Sequence, residues 1–218
     1  MDLSVAAIKG RIHAVTQQIE SCSPRAVDLV VVTKTHPAEV ITNVATAGAR
    51  IIGENYAQEV RDKASAIDDA RSLGVEVQFI GQLQTNKVRL LAGLVDCVAS
   101  VDRPSLIDEI AKRMPATRIH LQVNATGEEN KGGCLPEAVS ELIERSLDRG
   151  LFVEGLMTVG PTSGDEPATR DAFRLVAELA SVHDLTVKNF GMSGDLQIAV
   201  EEGSTMVRIG SAILGSRN

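Results

Sequence analysis

Four consecutive apolar residues, Leu29 to Val32, open the most legible stretch of the chain, DLVVVTKTHP. A half-exposed strand alternates apolar and polar side chains, so this unbroken run reads as a strand covered on both faces. Upstream, Leu3, Ala6, Ala7, Ile8, Ile12, Val15 and Ile19 recur at helical spacing, and the polar cluster at 21–24 ends that helix. Downstream the two periods alternate. A helix over 37–47 begins with a proline in its first turn and stops at Gly48. Further strands are expected at 50–53, 75–80, 95–100, 117–124, 152–159, 187–192 and 205–209. Helices are expected between them, over 55–66, 85–92, 104–113, 136–148, 166–182 and 195–201.

Strict alternation of strand and helix implies parallel strands joined by right-handed crossovers. Eight such units after one leading helix predict an α/β fold, a single (β/α)8 TIM-type barrel with an extra N-terminal helix and no C-terminal β-domain. A doubly wound open sheet is the competing architecture. No Pro/Gly/Ser-rich linker divides the chain, so residues 1–218 are expected to form one domain.

Composition narrows the function classes. A net charge of -7 without a basic run argues against nucleic acid as a partner, because phosphate-backbone binders need clustered Lys and Arg. Cys22, Cys97 and Cys134 are odd in number and form no Cys-x-x-Cys pair, which points to plain thiols in a reducing compartment and to no zinc site. The first 15 residues interleave charges with apolar positions, unlike a signal peptide or a membrane span, so a cytoplasmic address is expected. Aromatic residues make up only 2%, which makes the single tyrosine, Tyr56, conspicuous.

In a barrel the chemistry gathers at the C-terminal ends of the strands. Lys34 follows the first strand. A lysine there either reaches water or is driven toward the neutral, nucleophilic amine from which Schiff-base lysines are made. Asn55 and Tyr56 follow the second strand. The runs FGMSGD, with Met192 and Ser193, and RIGSA, with Arg208, Gly210 and Ser211, each turn from strand to helix through Gly and Ser after the seventh and eighth strands. Two adjacent turns of that kind make a phosphate cup, in the place where barrels commonly bind phosphate. A lysine beside such a cup suggests a phosphorylated aldehyde, either pyridoxal 5'-phosphate or the sugar phosphate of an aldolase. Asn55 or Tyr56 would support a planar ring, and Arg208 would face a pyridine nitrogen. Glu54 and Asp195 are expected as helix N-terminal caps, His36 and Lys131 as solvated side chains.

The blocks VVVTKTHP, IGENYAQE, FIGQLQTNK, VDR, QVNATGEENKGG, GLMTVGP and FGMSGDLQIAVEEGSTMVRIGSAILGSR resemble, in order, the motifs of the pyridoxal phosphate homeostasis proteins, the YggS/PROSC family. The resemblance implies a barrel of the alanine racemase N-terminal type carrying pyridoxal phosphate on Lys34 as an internal aldimine. It also implies cofactor contacts from Asn55, Tyr56, Met192, Ser193, Arg208, Gly210 and Ser211, with no metal. The implied role is a monomeric, non-catalytic carrier or regulator of the vitamin B6 pool, with apoenzymes that use the cofactor as possible recipients and no membrane or nucleic-acid partner. Gln78 and Gln82 depart from the family's usual His and Pro, away from the lysine and phosphate blocks. Lys131 would be a contact on the cofactor's exit path. A pyridoxal phosphate-dependent amino-acid racemase is the alternative, but two-base racemisation needs an acid and a base on opposite faces of the substrate, and only His36 offers itself beside Lys34. A sugar-phosphate aldolase is disfavoured by the first-strand position of Lys34.

Overall fold

The computed structural model describes residues 1–215, so Ser216 and Arg217 at the end of the last motif lie outside the described residues. Eight parallel strands close into a barrel in chain order, with β1 hydrogen-bonded to both β2 and β8. Closure excludes the open doubly wound sheet. The strands are β1 (Asp28–Val32), β2 (Ile51–Glu54), β3 (Glu76–Phe79), β4 (Cys97–Val101), β5 (Arg118–Gln122), β6 (Phe152–Met157), β7 (Val187–Asn189) and β8 (Met206–Ile209).

Alternation along each strand sorts the side chains between two cores. Val31, Ile52 and Val207 point outward into the large apolar layer beneath the helices, whereas Val30, Ile51 and Met206 form a small apolar cluster with Val187 packed against it. Both faces are therefore covered, which is why the strands read as continuous apolar runs rather than alternating ones. On the opposite side of the barrel, β3 to β6 contribute polar residues, among them the fully buried His120 and Gln78.

The surrounding helices are α1 (Val5–Cys22), α2 (Ala38–Thr46), α3 (Ala57–Asp62), α4 (Ala64–Ser72), α5 (Pro104–Arg113), α6 (Val139–Asp148), α7 (Glu166–Val182), α8 (Leu196–Glu201) and α9 (Ser211–Leu214). The extra helix α1 is capped by Ser4, whose hydroxyl accepts from the Ala7 N–H at 3.4 Å. Two elements differ from the periodicity. The single helix expected over 55–66 is two, broken at Lys63 with φ -99° and ψ 12°, and the second runs on to Ser72. Lys63 is buried there, and its ammonium donates to the Thr33 carbonyl just past the end of β1 rather than reaching solvent. The segment expected as a helix over 85–92 is a 3-10 turn over Thr85–Leu90. Among the described residues, no helix is long and apolar enough to cross a membrane.

Candidate functional site

A cavity of about 600 Å³ opens at the C-terminal ends of the strands. Its wall includes Lys34, Asn55, Met192, Ser193, Arg208, Gly210 and Ser211, so seven of the eight residues singled out from the sequence converge. Tyr56 does not line it. The residue is 49% exposed.

Lys34 is exposed in a turn whose backbone is pinned on both sides. Before it, the Thr33 hydroxyl donates to Glu54 at 2.7 Å and the Thr33 carbonyl accepts from the Lys63 ammonium at 3.2 Å. After it, the Thr35 N–H donates to Glu59 at 2.8 Å, and Thr35 takes a left-handed φ of 63°. A β-branched residue adopts that conformation only when its surroundings hold it there. Lys63 ties the arrangement together with ion pairs to Glu54 at 2.9 Å and Glu59 at 2.8 Å. Glu54 is thus a wholly buried partner of Lys63 and not a helix cap, because the alternation of β2 puts it on the same face as Ile52, beneath the helices. Burial raises its carboxyl above the ordinary value, against the pull of Lys63. Only the Glu59–Lys63 spacing, four residues apart, was readable as a pair beforehand.

Arg208 comes up the inner face of β8 and is buried. It donates to the Asn189 carbonyl at 2.8 Å, to the Asn189 side-chain Oδ1, and to the Thr158 carbonyl at 2.9 Å. All three acceptors are neutral. Burial accordingly lowers the guanidinium to about 10, only partly offset by the charge of Asp195, and it remains a cation at neutral pH.

On the far wall, the Ser211 hydroxyl donates to that of Ser193 at 3.2 Å, which joins the two Gly-Ser turns. Gly194 has open space where a side chain would be, so the backbone there is accessible from the cavity. Asp195 stands at the N-cap position of α8 as expected, but its carboxylate accepts from the Met192 N–H at 2.6 Å and from no N–H of the helix. It closes the turn that presents Ser193.

Lys131 is not a solvated charge. It lines the cavity at 17% side-chain exposure, donating to Glu128 at 2.8 Å and to the Gly160 carbonyl. Glu128 also accepts from the Thr162 hydroxyl at 2.6 Å and the Thr162 N–H at 3.1 Å, and these bonds hold its carboxyl down at about 2. The loop after β5 is thereby clasped to the loop after β6. His36 is half-buried rather than solvent-facing, and its N–H donates to the Thr33 carbonyl at 3.3 Å. Gln82 lines the cavity together with Lys34, so this departure from the family pattern lies in the site's wall and not away from it. Gln78 is buried below, donating to Glu76 at 2.8 Å. The cysteines are free, and burial raises Cys134 to about 11 and Cys97 well above its ordinary value.

Two features bear on the fit of a phosphorylated aldehyde. Among the described residues, the titratable groups in the wall are Lys34, Lys131 and Arg208, three cations and no carboxylate, in a chain whose net charge is -7. In addition, the Asn55 Oδ1 is buried without a hydrogen-bond partner at the edge of the same cavity.

The family model of the alanine racemase N-terminal domain matches residues 4–218. A pyridoxal phosphate homeostasis protein of Vibrio cholerae is 38% identical over 97% of this chain and 97% of its own length. The crystal structure of a protein of Bifidobacterium adolescentis superposes with a TM-score of 0.89 at 31% identity, covering 98% of this chain and 97% of that one. PipY of Synechococcus elongatus, solved with PLP bound, superposes with a TM-score of 0.80 at 29% identity, covering 95% of this chain and 100% of PipY. The chain belongs to the alanine racemase N-terminal domain family and, within it, to the pyridoxal phosphate homeostasis proteins.

Proposed function

We propose that this protein binds pyridoxal 5'-phosphate at Lys34 and serves the homeostasis of the intracellular cofactor pool as a monomeric cytoplasmic carrier that passes it to apoenzymes. The observation that carries the reading is a cavity of about 600 Å³, a volume usual for small-ligand sites, whose titratable groups among the described residues are all cations. Bound there, pyridoxal phosphate supplies an aldehyde for a primary amine to condense with. Lys34 provides the amine, on a backbone held from both sides by Glu54, Glu59 and Lys63. Ser193 and Ser211, with the open backbone at Gly194, would take the phosphate. Arg208 would meet the ring nitrogen as a donor only, which keeps that nitrogen unprotonated and makes the ring a poor electron sink. Asn55 would accept from a donor on the ring. Lys131, clasped to Glu128, would stand on the exit path.

A racemase needs a second acid/base facing the amine. Tyr56 sits outside the wall, and Lys131 is already committed to Glu128 and Gly160. Carriage is therefore the reading preferred over racemisation. The visible spectrum of the purified protein tests binding. The expected result is a yellow protein whose band is bleached by borohydride and missing in Lys34→Ala. A protein that stays colourless after incubation with pyridoxal phosphate would overturn the reading, and racemisation of amino acids well above the free cofactor's background would overturn the carrier role.

A further inference from the structure

Beneath the cavity a line of buried polar groups runs down through the barrel from β8 across β7 to β5, ending beside the half-buried Glu154 of β6. Arg208 bonds to the Asn189 Oδ1, the Asn189 Nδ2 lies 3.1 Å from the His120 Nδ1, and the His120 Nε2 lies 3.8 Å from the Glu154 Oε2. His120 and Asn189 are both wholly buried, and no part of this line entered the sequence reading beyond Arg208.

The polarity of the line follows from its upper end. A guanidinium only donates, so the amide atom facing Arg208 is the oxygen, and the amide N–H points at His120. An N–H donor facing Nδ1 requires a lone pair there. The ring's proton is therefore on Nε2, which is buried and makes no hydrogen bond; the Glu154 carboxylate, held below its ordinary value by His120 against the effect of burial, lies 3.8 Å away and supplies only a favourable charge. That polarity also decides against a metal. Cys97, His120 and Glu154 bring ligand atoms within 4.8 Å of one another, but a metal would need the Nε2 lone pair.

We propose that His120 is a positioning residue for Arg208. By accepting from the Asn189 amide, it holds that amide's oxygen on the guanidinium and so fixes the cation that faces the cavity. Without an acceptor at the Nδ1 position, the buried amide N–H has no partner and the amide is free to turn, which would bring an N–H against an N–H of Arg208. The three bonds of Arg208 occupy three of its five N–H groups, and the orientation of the other two depends on that amide staying in place. This inference rests on the reading that pyridoxal phosphate occupies the cavity with its ring nitrogen near Arg208.

Two measurements test it. The first uses the wild-type protein without added ligand. Nitrogen-15 NMR of the imidazoles should find His120 with a bare Nδ1 and a protonated Nε2, and the opposite tautomer would overturn the proposal. The second compares pyridoxal phosphate-loaded wild type with His120→Leu and His120→Asn, the Asn oxygen standing where Nδ1 stood. His120→Leu should shift the visible band and speed loss of the cofactor up to about tenfold, the scale of one hydrogen bond, while His120→Asn should restore both to within about twofold. A His120→Leu protein with the wild-type band and release rate, or a His120→Asn protein no better than His120→Leu, would overturn it. A wild type that takes up no cofactor would overturn the functional reading instead, and the tautomer would then decide the positioning claim alone.

Discussion

Replacing Lys63 with methionine should be among the most damaging single changes available away from the cavity wall. The Lys63 side chain is 7% exposed and its ammonium makes three bonds, to the Glu54 carboxylate at 2.9 Å, the Glu59 carboxylate at 2.8 Å and the Thr33 carbonyl at 3.2 Å. Glu59 is 28% exposed and recovers water when the cation leaves, but Glu54 is 0% exposed and its Oε2 has no partner even now. Removing one member of a buried pair costs about 3–5 kcal/mol, a large share of the roughly 5–15 kcal/mol that holds a domain folded. Urea denaturation at pH 7 should show that loss as a lower midpoint. The pH dependence carries a sign as well. Burial raises the folded-state value of Glu54, so its contribution to stability is present below its unfolded value and lost as pH rises through the folded one. Without Lys63 that value rises further, so the deficit of Lys63→Met should shrink on acidification from pH 7 toward 5. The double variant Glu54→Leu with Lys63→Met should recover most of the loss, since an apolar pair of similar volume avoids the buried charge altogether. A Lys63→Met protein that loses under about 1 kcal/mol at pH 7 would refute the claim that this pair anchors the Lys34 turn.

Gly81→Ala should disturb the mouth directly, because a Cβ there would lie 2.0 Å from the Asn55 carbonyl oxygen, a backbone atom that cannot swing aside; weakened cofactor binding in a fluorescence titration, with a lower melting temperature, checks it. Thr35→Gly removes the conformational cost of a left-handed φ of 63°, of order 1–2 kcal/mol, but frees the backbone beside Lys34; melting should hold steady or rise while cofactor release speeds up. The clasp between Glu128 and Lys131 should persist through mild acid. With the Glu128 carboxyl held at about 2 against an unperturbed 4.5, its contribution is full above the upper value and lost as pH falls through the lower one. Proteolysis or hydrogen exchange in residues 125–133 should therefore stay slow at pH 4 and quicken toward pH 2, and Glu128→Gln should abolish that dependence.

Much of the barrel was legible because parallel strands covered on both faces announce themselves as apolar runs between helical stripes. β1 and β4 are of this kind. β7 was read too long, since the chain turns out of the sheet after Asn189 through Gly191 at φ 104°, and the apolar Phe190 sits in the core without extending the strand. Lys63 was hidden for the opposite reason. A lysine in a helical stretch is normally solvated, and nothing local marks the break that turns it under Lys34. Tyr56 stands out in the sequence as the single tyrosine at a strand end, yet it is half exposed and does not line the cavity that its neighbour Asn55 lines. The line from Arg208 to His120 joins β8, β7 and β5, so it becomes visible only when the strands are in register. The lysine and the two Gly-Ser turns, by contrast, carry their chemistry in adjacent residues, and the fold had only to bring them to one mouth.

The central claim is that one amine in this cavity is the cofactor's attachment point. Its most direct test is a peptide map of the protein loaded with pyridoxal phosphate, trapped with borohydride and digested. The account predicts one phosphopyridoxyl group per chain, on the peptide that contains Lys34. Label confined to Lys131, or spread over surface lysines without preference for Lys34, would contradict it.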